Sequence, residues 1–254
     1  MRVRVVFSQK DIVAVPLAQN YFLASAIYDT ICARPDYAQF LHDLGYTHHP
    51  SGRSFKMFVF GPLMCAHRRI EGEKILLGPG TIQWIISSPM IEFVTALAEG
   101  LLSQGQIKVC DKLLNIDKVE AMSEPDFSSE MSFACLSPIV VTRSGGPGGY
   151  AHFCTHDDPD FSERIKSNLI RKYELVYGNT PEDIDFEMHF DTDYISRRSG
   201  RVTKLINVRG TQIRGVLAPF RAYGSPELIK IGYQCGFGER GSMGFGCVEA
   251  RNIS

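Results

Sequence analysis

The stretch Gly236-Phe-Gly-Glu-Arg-Gly-Ser-Met-Gly-Phe-Gly246 holds five glycines, one arginine and one serine in eleven residues. Two kinds of chemistry suit such a run. Glycines let successive backbone N–H groups converge on an anion, and the Arg240 guanidinium adds a fork of donors. The same glycines also suit a tight turn between the last strands, each supplying only a positive φ. Gly236, Gly238 and Gly241 spell the dinucleotide fingerprint G-x-G-x-x-G, which needs a following helix and an acidic residue about 20 positions on. Only eight residues follow Gly246 and no Lys-Ser/Thr pair is present, so neither a βαβ dinucleotide site nor a Walker loop is expected.

Charge is segregated along the second half. Between Arg197 and Arg214 lie six basic residues (Arg197, Arg198, Arg201, Lys204, Arg209 and Arg214) and no acid, whereas Glu182–Asp193 holds six acids. A chain of net charge −1 needs such local concentration to hold a nucleic acid. The same run also fits a solvated hairpin, with Ser199-Gly200 turning near its tip. His152, Cys154 and His156 alternate and would share one face of a strand, where they could ligate a transition metal. The spacing is not a standard one and Gly145–Gly149 reads as loop, so no metal ligand and no cofactor is assigned.

The elements that must position these groups follow from periodicity. Arg2–Ser8 alternates as a half-buried strand, and Ala18–Ala33 and Asp36–Leu44 carry helical spacing, the latter stopped by Gly45. Phe55–Phe60 and Thr81–Ser87 read as strands, Met90–Ser103 as a helix and Gln106–Val119 as a strand region. That order is strand, helix, strand, strand, helix, strand, a ferredoxin-like unit. Beyond a polar linker at Ser123–Glu130 a similar order recurs. Ser132–Thr142 is a strand, Pro159–Tyr177 a helix and Asp185–Phe190 a strand. Arg201–Val208 with Gln212–Ala222 suggests a hairpin, and Phe245–Ala250 is the last strand. The expected fold is α+β, two tandem ferredoxin-like domains over residues 1–124 and 125–254.

A length of 254 residues accommodates two such cores, and 44% hydrophobic with 22% charged residues is the composition of a globular protein. Seven scattered cysteines without a C-x-x-C pair point to a reducing compartment, hence a cytoplasmic protein. The first residues lack the apolar run of a signal peptide, and no membrane span is expected.

Gly236–Glu249, GFGERGSMGFGCVE, resembles the C-terminal signature of the RAMP superfamily, and within it the CRISPR-associated (Cas) repeat-RNA endoribonucleases. Phe220-Arg-Ala-Tyr-Gly224, Ile231-Gly-Tyr and Leu136-Ser-Pro-Ile139 are similar to segments of that family. So are Asn20-Tyr-Phe-Leu-Ala-Ser-Ala-Ile-Tyr28, Phe40-Leu-His42 and Phe55-Lys-Met-Phe58. The resemblance runs nearly end to end and implies the same double ferredoxin-like fold.

Active members of that family commonly use a tyrosine, a histidine and a lysine, which motif placement puts at Tyr28, His42 and Lys56. Tyr28 lies one position, about 100°, off Ile27 and shares a face with Tyr21, Ser25 and Cys32. His42 is one step off the apolar stripe, with His48 and His49 as fallbacks, and Lys56 sits between strand residues Phe55 and Met57. Taken alone, these positions also fit a half-buried tyrosine, a helix-capping histidine and a solvated lysine. The resemblance implies cleavage of CRISPR precursor RNA within its repeats, without metal, by 2′-hydroxyl attack giving 2′,3′-cyclic phosphate and 5′-hydroxyl ends. It further implies that Gly238, Arg240, Ser242 and Gly244, with the six basic residues, bind RNA. The partner expected is repeat RNA, with other Cas proteins or a second copy as further candidates. The competing reading is a non-catalytic RAMP subunit that binds repeat RNA inside an interference complex.

Overall fold

The computed structural model describes residues 1–143 and 152–251; the Gly145–Gly149 stretch lies outside them. Strand β1 (Arg2–Gln9) is central to the first sheet, between β3 (Gly80–Ser87) and β4 (Lys112–Met122), and β2 (Val59–Phe60) pairs with β3 on its other side. All these pairings are antiparallel. The order β4-β1-β3-β2, with helices α1 (Asn20–Ile31) and α3 (Ile91–Gln104) in the connections, is ferredoxin-like. Val3, Val5 and Phe7 of β1 face Ile86, Trp84 and Ile82 of β3, so strand alternation places all six on the helix-covered face. Leu23, Ile27 and Ile31 of α1 and Phe93, Leu97 and Leu101 of α3 close that core. The two helices cross closely at Gly100, where a Cβ would overlap the Thr30 carbonyl. Helix α2 (Pro35–Asp43) packs outside α1 through Ala38 and Leu41.

The second half repeats the plan. Strands β5 (Glu130–Cys135), β6 (Phe186–Phe190), β9 (Phe220–Gly224) and β10 (Val248–Arg251) pair in the order β10-β5-β9-β6, and α4 (Phe161–Tyr177) and α5 (Pro226–Cys235) cover them. Between β6 and β9 the hairpin β7 (Thr203–Val208) and β8 (Thr211–Val216) forms its own two-stranded ribbon. The halves are stitched together by Arg2. Its buried guanidinium donates to the carbonyls of Val248 (2.7 Å) and Tyr233 (2.8 Å) and lies 3.5 Å from the centre of the Tyr233 ring.

Several elements differ from what periodicity predicts. Helix α5 lies where no element is expected from the sequence, although Ser225 accepts from the Leu228 amide as N-cap and Pro226 opens the first turn. Leu228, Ile231 and Cys235 keep helical spacing on its buried face, but at ten residues the helix gives that spacing fewer than about three turns in which to repeat. The single strand expected over Gln212–Ala222 is split into β8 and β9, with Pro219 between them. Gln106–Val119 is a hairpin that turns through Cys110 at φ 57°. The ribbon's tip lies at Arg209-Gly210, both at positive φ, whereas Ser199-Gly200 follows the short helix Thr192–Arg197. Most consequential, the strand expected over Phe55–Phe60 breaks at Met57, a non-glycine residue at φ 55°.

Candidate active site

Tyr28 stands in the last turn of α1, His42 in the last turn of α2, and Lys56 at the break before Met57. The fold brings the Tyr28 and His42 rings together and carries the Lys56 ammonium to the His42 backbone. The Tyr28 and His42 rings meet edge to face with centroids 5.4 Å apart, and Phe58 backs Tyr28 at 6.0 Å. The Lys56 Nζ donates to the His42 carbonyl at 2.8 Å, capping the C-terminus of α2. Two local features permit that reach. Left-handed backbone at Met57 turns the chain out of strand geometry and is held by Ser88 Oγ donating to the Met57 carbonyl at 2.7 Å. Gly45, at φ 69°, leaves the lysine room, because a Cβ there would come within 2.9 Å of Lys56 Cδ and 2.7 Å of the Phe55 carbonyl.

The electrostatics differ from group to group. Burial pushes the Tyr28 phenol up to about 12, so it keeps its proton at neutral pH. Partial burial lowers Lys56 and the Asp43 carboxylate opposes that shift. The His42 side chain is 71% exposed and its Nδ1 lies 2.8 Å from Asp43 Oδ1. His48, by contrast, is buried with both ring nitrogens engaged, Nδ1 with Ser51 and Nε2 with Glu174, each at 2.7 Å. It joins the two halves, away from the Tyr28 ring, whereas His49 is exposed in a 3-10 turn.

Beside Lys56 opens a cavity of about 390 Å³ whose other walls include Arg53, Asn168, Lys172, Arg240 and Ser242. The glycine-rich loop thus borders the same recess as the lysine. Its amides are mostly used inside the protein. Phe237 donates to Gly246, Glu239 to Val140, Met243 and Phe245 to Arg240, Gly244 to Gly241, and Gly246 to Pro138. Positive φ at Gly236, Gly238, Gly244 and Gly246 folds the loop back on itself, and a Cβ at Gly246 would overlap the Phe237 carbonyl. Phe237 anchors one arm in the second core and Phe245 the other beneath the ribbon. Gly238 and Gly244 are buried and contribute shape; Arg240 is exposed and Ser242 half-buried at the cavity wall. A residue that spacing misses holds this loop. Lys172, 4% exposed in α4, donates its Nζ to the carbonyls of Gly236 (2.6 Å) and Gly238 (2.8 Å). Only its place on the inner face of an amphipathic helix hinted at such a role.

The six basic residues around the ribbon are all exposed, and among the described residues none makes an ion pair. Arg209 at the tip lies 4.7 Å from the Tyr21 ring centre, two turns before Tyr28 on α1. The ribbon is therefore tied to the helix that carries the tyrosine. If about four of these cations touch phosphates, the slope of log affinity for repeat RNA against log salt is expected near −3. Alanine at Arg201, Lys204, Arg209 and Arg214 together should flatten it towards zero, measured by filter binding from low to high salt; an unchanged slope removes the ribbon from the interface.

Residues 14–120 match the family model for the N-terminal part of CRISPR-associated protein Cas6, and residues 122–250 match that for its C-terminal part. The chain belongs to the Cas6 family. A Cas6 relative, the CRISPR-associated endoribonuclease Cas6 1 of Methanocaldococcus jannaschii, is 31% identical over 98% of this chain and 92% of its own length. The CRISPR-associated endoribonuclease Cas6 of Pyrococcus furiosus is 29% identical over 97% and 88%. Among solved structures, a Cas6-related protein from Pyrococcus furiosus superimposes with a TM-score of 0.83 at 27% identity, covering 100% of this chain and 99% of that one. A RAMP protein binding different RNA substrates gives 0.82 at 26%, over 99% and 100%.

The alternating His152, Cys154 and His156 do not form a shared face in this Cas6-family fold. Only His152–Phe153 is a strand, and the ligand atoms gathered within 4.8 Å are those of Cys154, Asp158 and Asp160. Arg143 pairs with Asp158 and Arg164 with Asp160, so both carboxylates already have cationic partners.

Proposed function

We propose that this Cas6-family chain is an endoribonuclease that cuts CRISPR precursor RNA within its repeats, the maturation step that releases individual guide RNAs. The observation that carries this reading is that the Tyr28 and His42 rings pack together while the Lys56 ammonium, bordering the recess of the glycine-rich loop, reaches the His42 backbone carbonyl. Cleavage by in-line attack of a ribose 2′-hydroxyl needs a base for its proton, an acid for the leaving 5′ oxygen and a cation on the phosphorane. His42 is the group whose type exchanges protons near neutrality, and it serves in proton transfer. Lys56 spends one N–H on the His42 carbonyl and keeps two for the phosphate oxygens. Tyr28, protonated up to about pH 12, donates to the reacting group and limits how the His42 ring can turn. Arg240, Ser242 and the ribbon cations hold the flanking RNA.

The three side chains supply base, acid and cation between them, so cleavage should proceed in EDTA. The expected products are a 2′,3′-cyclic phosphate and a 5′-hydroxyl. Replacing the one 2′-hydroxyl at the scissile position by hydrogen should abolish cutting while leaving binding, read on a denaturing gel and by gel shift. Intact all-ribose repeat RNA held in a stable complex would instead support the non-catalytic RNA-binding subunit.

A further inference from the structure

We propose that Asp43 is a positioning residue for His42: its carboxylate holds the proton on Nδ1 and so leaves Nε2 as the nitrogen offered to the RNA. The inference rests on the endoribonuclease reading above and adds to it a residue outside the three-residue set. Asp43 Oδ1 lies 2.8 Å from His42 Nδ1. An ionised carboxylate can only accept, so the proton of that bond must sit on the imidazole nitrogen, and the tautomer is thereby chosen. Asp43 stays ionised because the His42 hydrogen bond, helped by the Gln39 side chain one turn earlier and by the Lys56 charge, holds its carboxyl below the usual range. His42 is therefore gripped at two points. Lys56 binds its backbone carbonyl and Asp43 its ring, while the Tyr28 ring stands edge-on beside it.

The groups facing Asp43 are Gln39 and His42 from its own helix and Lys56 from the break before Met57. With 53% of the Asp43 side chain and 71% of the His42 side chain exposed, the pair contributes little to folding. That separates the proposed role from a structural one. Charge alone makes a second distinction, since a carboxylate beside a phosphodiester repels it, and removing Asp43 for that reason alone would tighten RNA binding.

The test measures single-turnover cleavage of repeat RNA by saturating full-length protein, together with RNA affinity, for wild type, Asp43→Ala, Asp43→Asn, His42→Ala and the Asp43→Ala/His42→Ala double variant. Asp43→Ala should cut about tenfold more slowly with equal or tighter binding. Asp43→Asn, whose amide oxygen still accepts, should fall between it and wild type. In the His42→Ala background the Asp43 change should have no further effect, because its influence passes through the ring. A wild-type rate for Asp43→Ala, or the same tenfold loss on top of His42→Ala, would overturn the proposal. The 15N spectrum of the His42 ring reads the tautomer independently of activity. Wild type should show Nδ1–H, and Asp43→Ala should shift towards Nε2–H, the commoner form in water. Identical spectra would also refute the role of Asp43. A wild-type protein that leaves RNA uncut yet shows the tautomer shift would instead refute the nuclease reading and keep the pair.

Discussion

Alanine at His42 is expected to slow single-turnover cleavage of repeat RNA by roughly 10²–10⁴-fold, about 3–5 kcal/mol of barrier, with repeat affinity changed by less than about threefold. The expectation follows from geometry. Among the histidines near the site, His42 alone stands against Tyr28 with Lys56 on its carbonyl, while both nitrogens of His48 are engaged with Ser51 and Glu174. The side chain is 71% exposed and packs only against the edge of the half-buried Tyr28 ring, so its loss should move the unfolding midpoint little, which guards against mistaking a folding defect for a chemical one. His42→Ala that cuts at the wild-type rate would remove this residue from the chemistry.

Methionine at Lys172 is expected to destabilise the protein by about 2–4 kcal/mol in denaturant unfolding and to weaken cleavage through the glycine-rich loop. Methionine fills the space of the aliphatic stem but leaves the Gly236 and Gly238 carbonyls without their donor. Each buried orphan costs about 1–3 kcal/mol, partly offset because a desolvated ammonium is no longer buried. The effect carries a pH signature. Burial pushes Lys172 from 10.5 down to about 8, so between those values the unfolded chain holds a proton that the folded chain has released. Wild-type stability then rises with pH across that window; this contribution is complete above 10.5 and is lost as pH falls through 8. Methionine has no such dependence, and the gap between the two proteins should widen from pH 8 to 10.5. A constant gap would mean that the lysine titrates normally.

Much of this is legible in the amino-acid sequence. Alternation in Arg2–Gln9 and the helical spacing of α1, α2, α3 and α4 are local properties, set by which face of an element must leave water. The charge run from Arg197 to Arg214 is likewise sequence-borne, and its residues stay exposed because unpaired charge is costly to bury. Resemblance, not spacing, pointed to Tyr28, His42 and Lys56; each taken alone fits an ordinary surface or half-buried position. Helix α5 was missed although Leu228, Ile231 and Cys235 keep helical spacing, because ten residues leave that pattern fewer than about three turns in which to repeat.

What the amino-acid sequence determined by itself is therefore most of the helices and the central strands, the repeated strand and helix order, and the glycine-rich loop's need for positive φ. The tertiary structure decided that α1 and α2 end at the same corner, that the chain breaks at Met57 so that Lys56 reaches the His42 carbonyl, and that Lys172 crosses to the loop. The physical reason is range. Periodicity reports the contacts of a residue with its own turn or strand, whereas His42 and Lys56 are 14 positions apart and Lys172 and Gly236 are 64 apart. Contacts over such separations exist only after the two cores have packed.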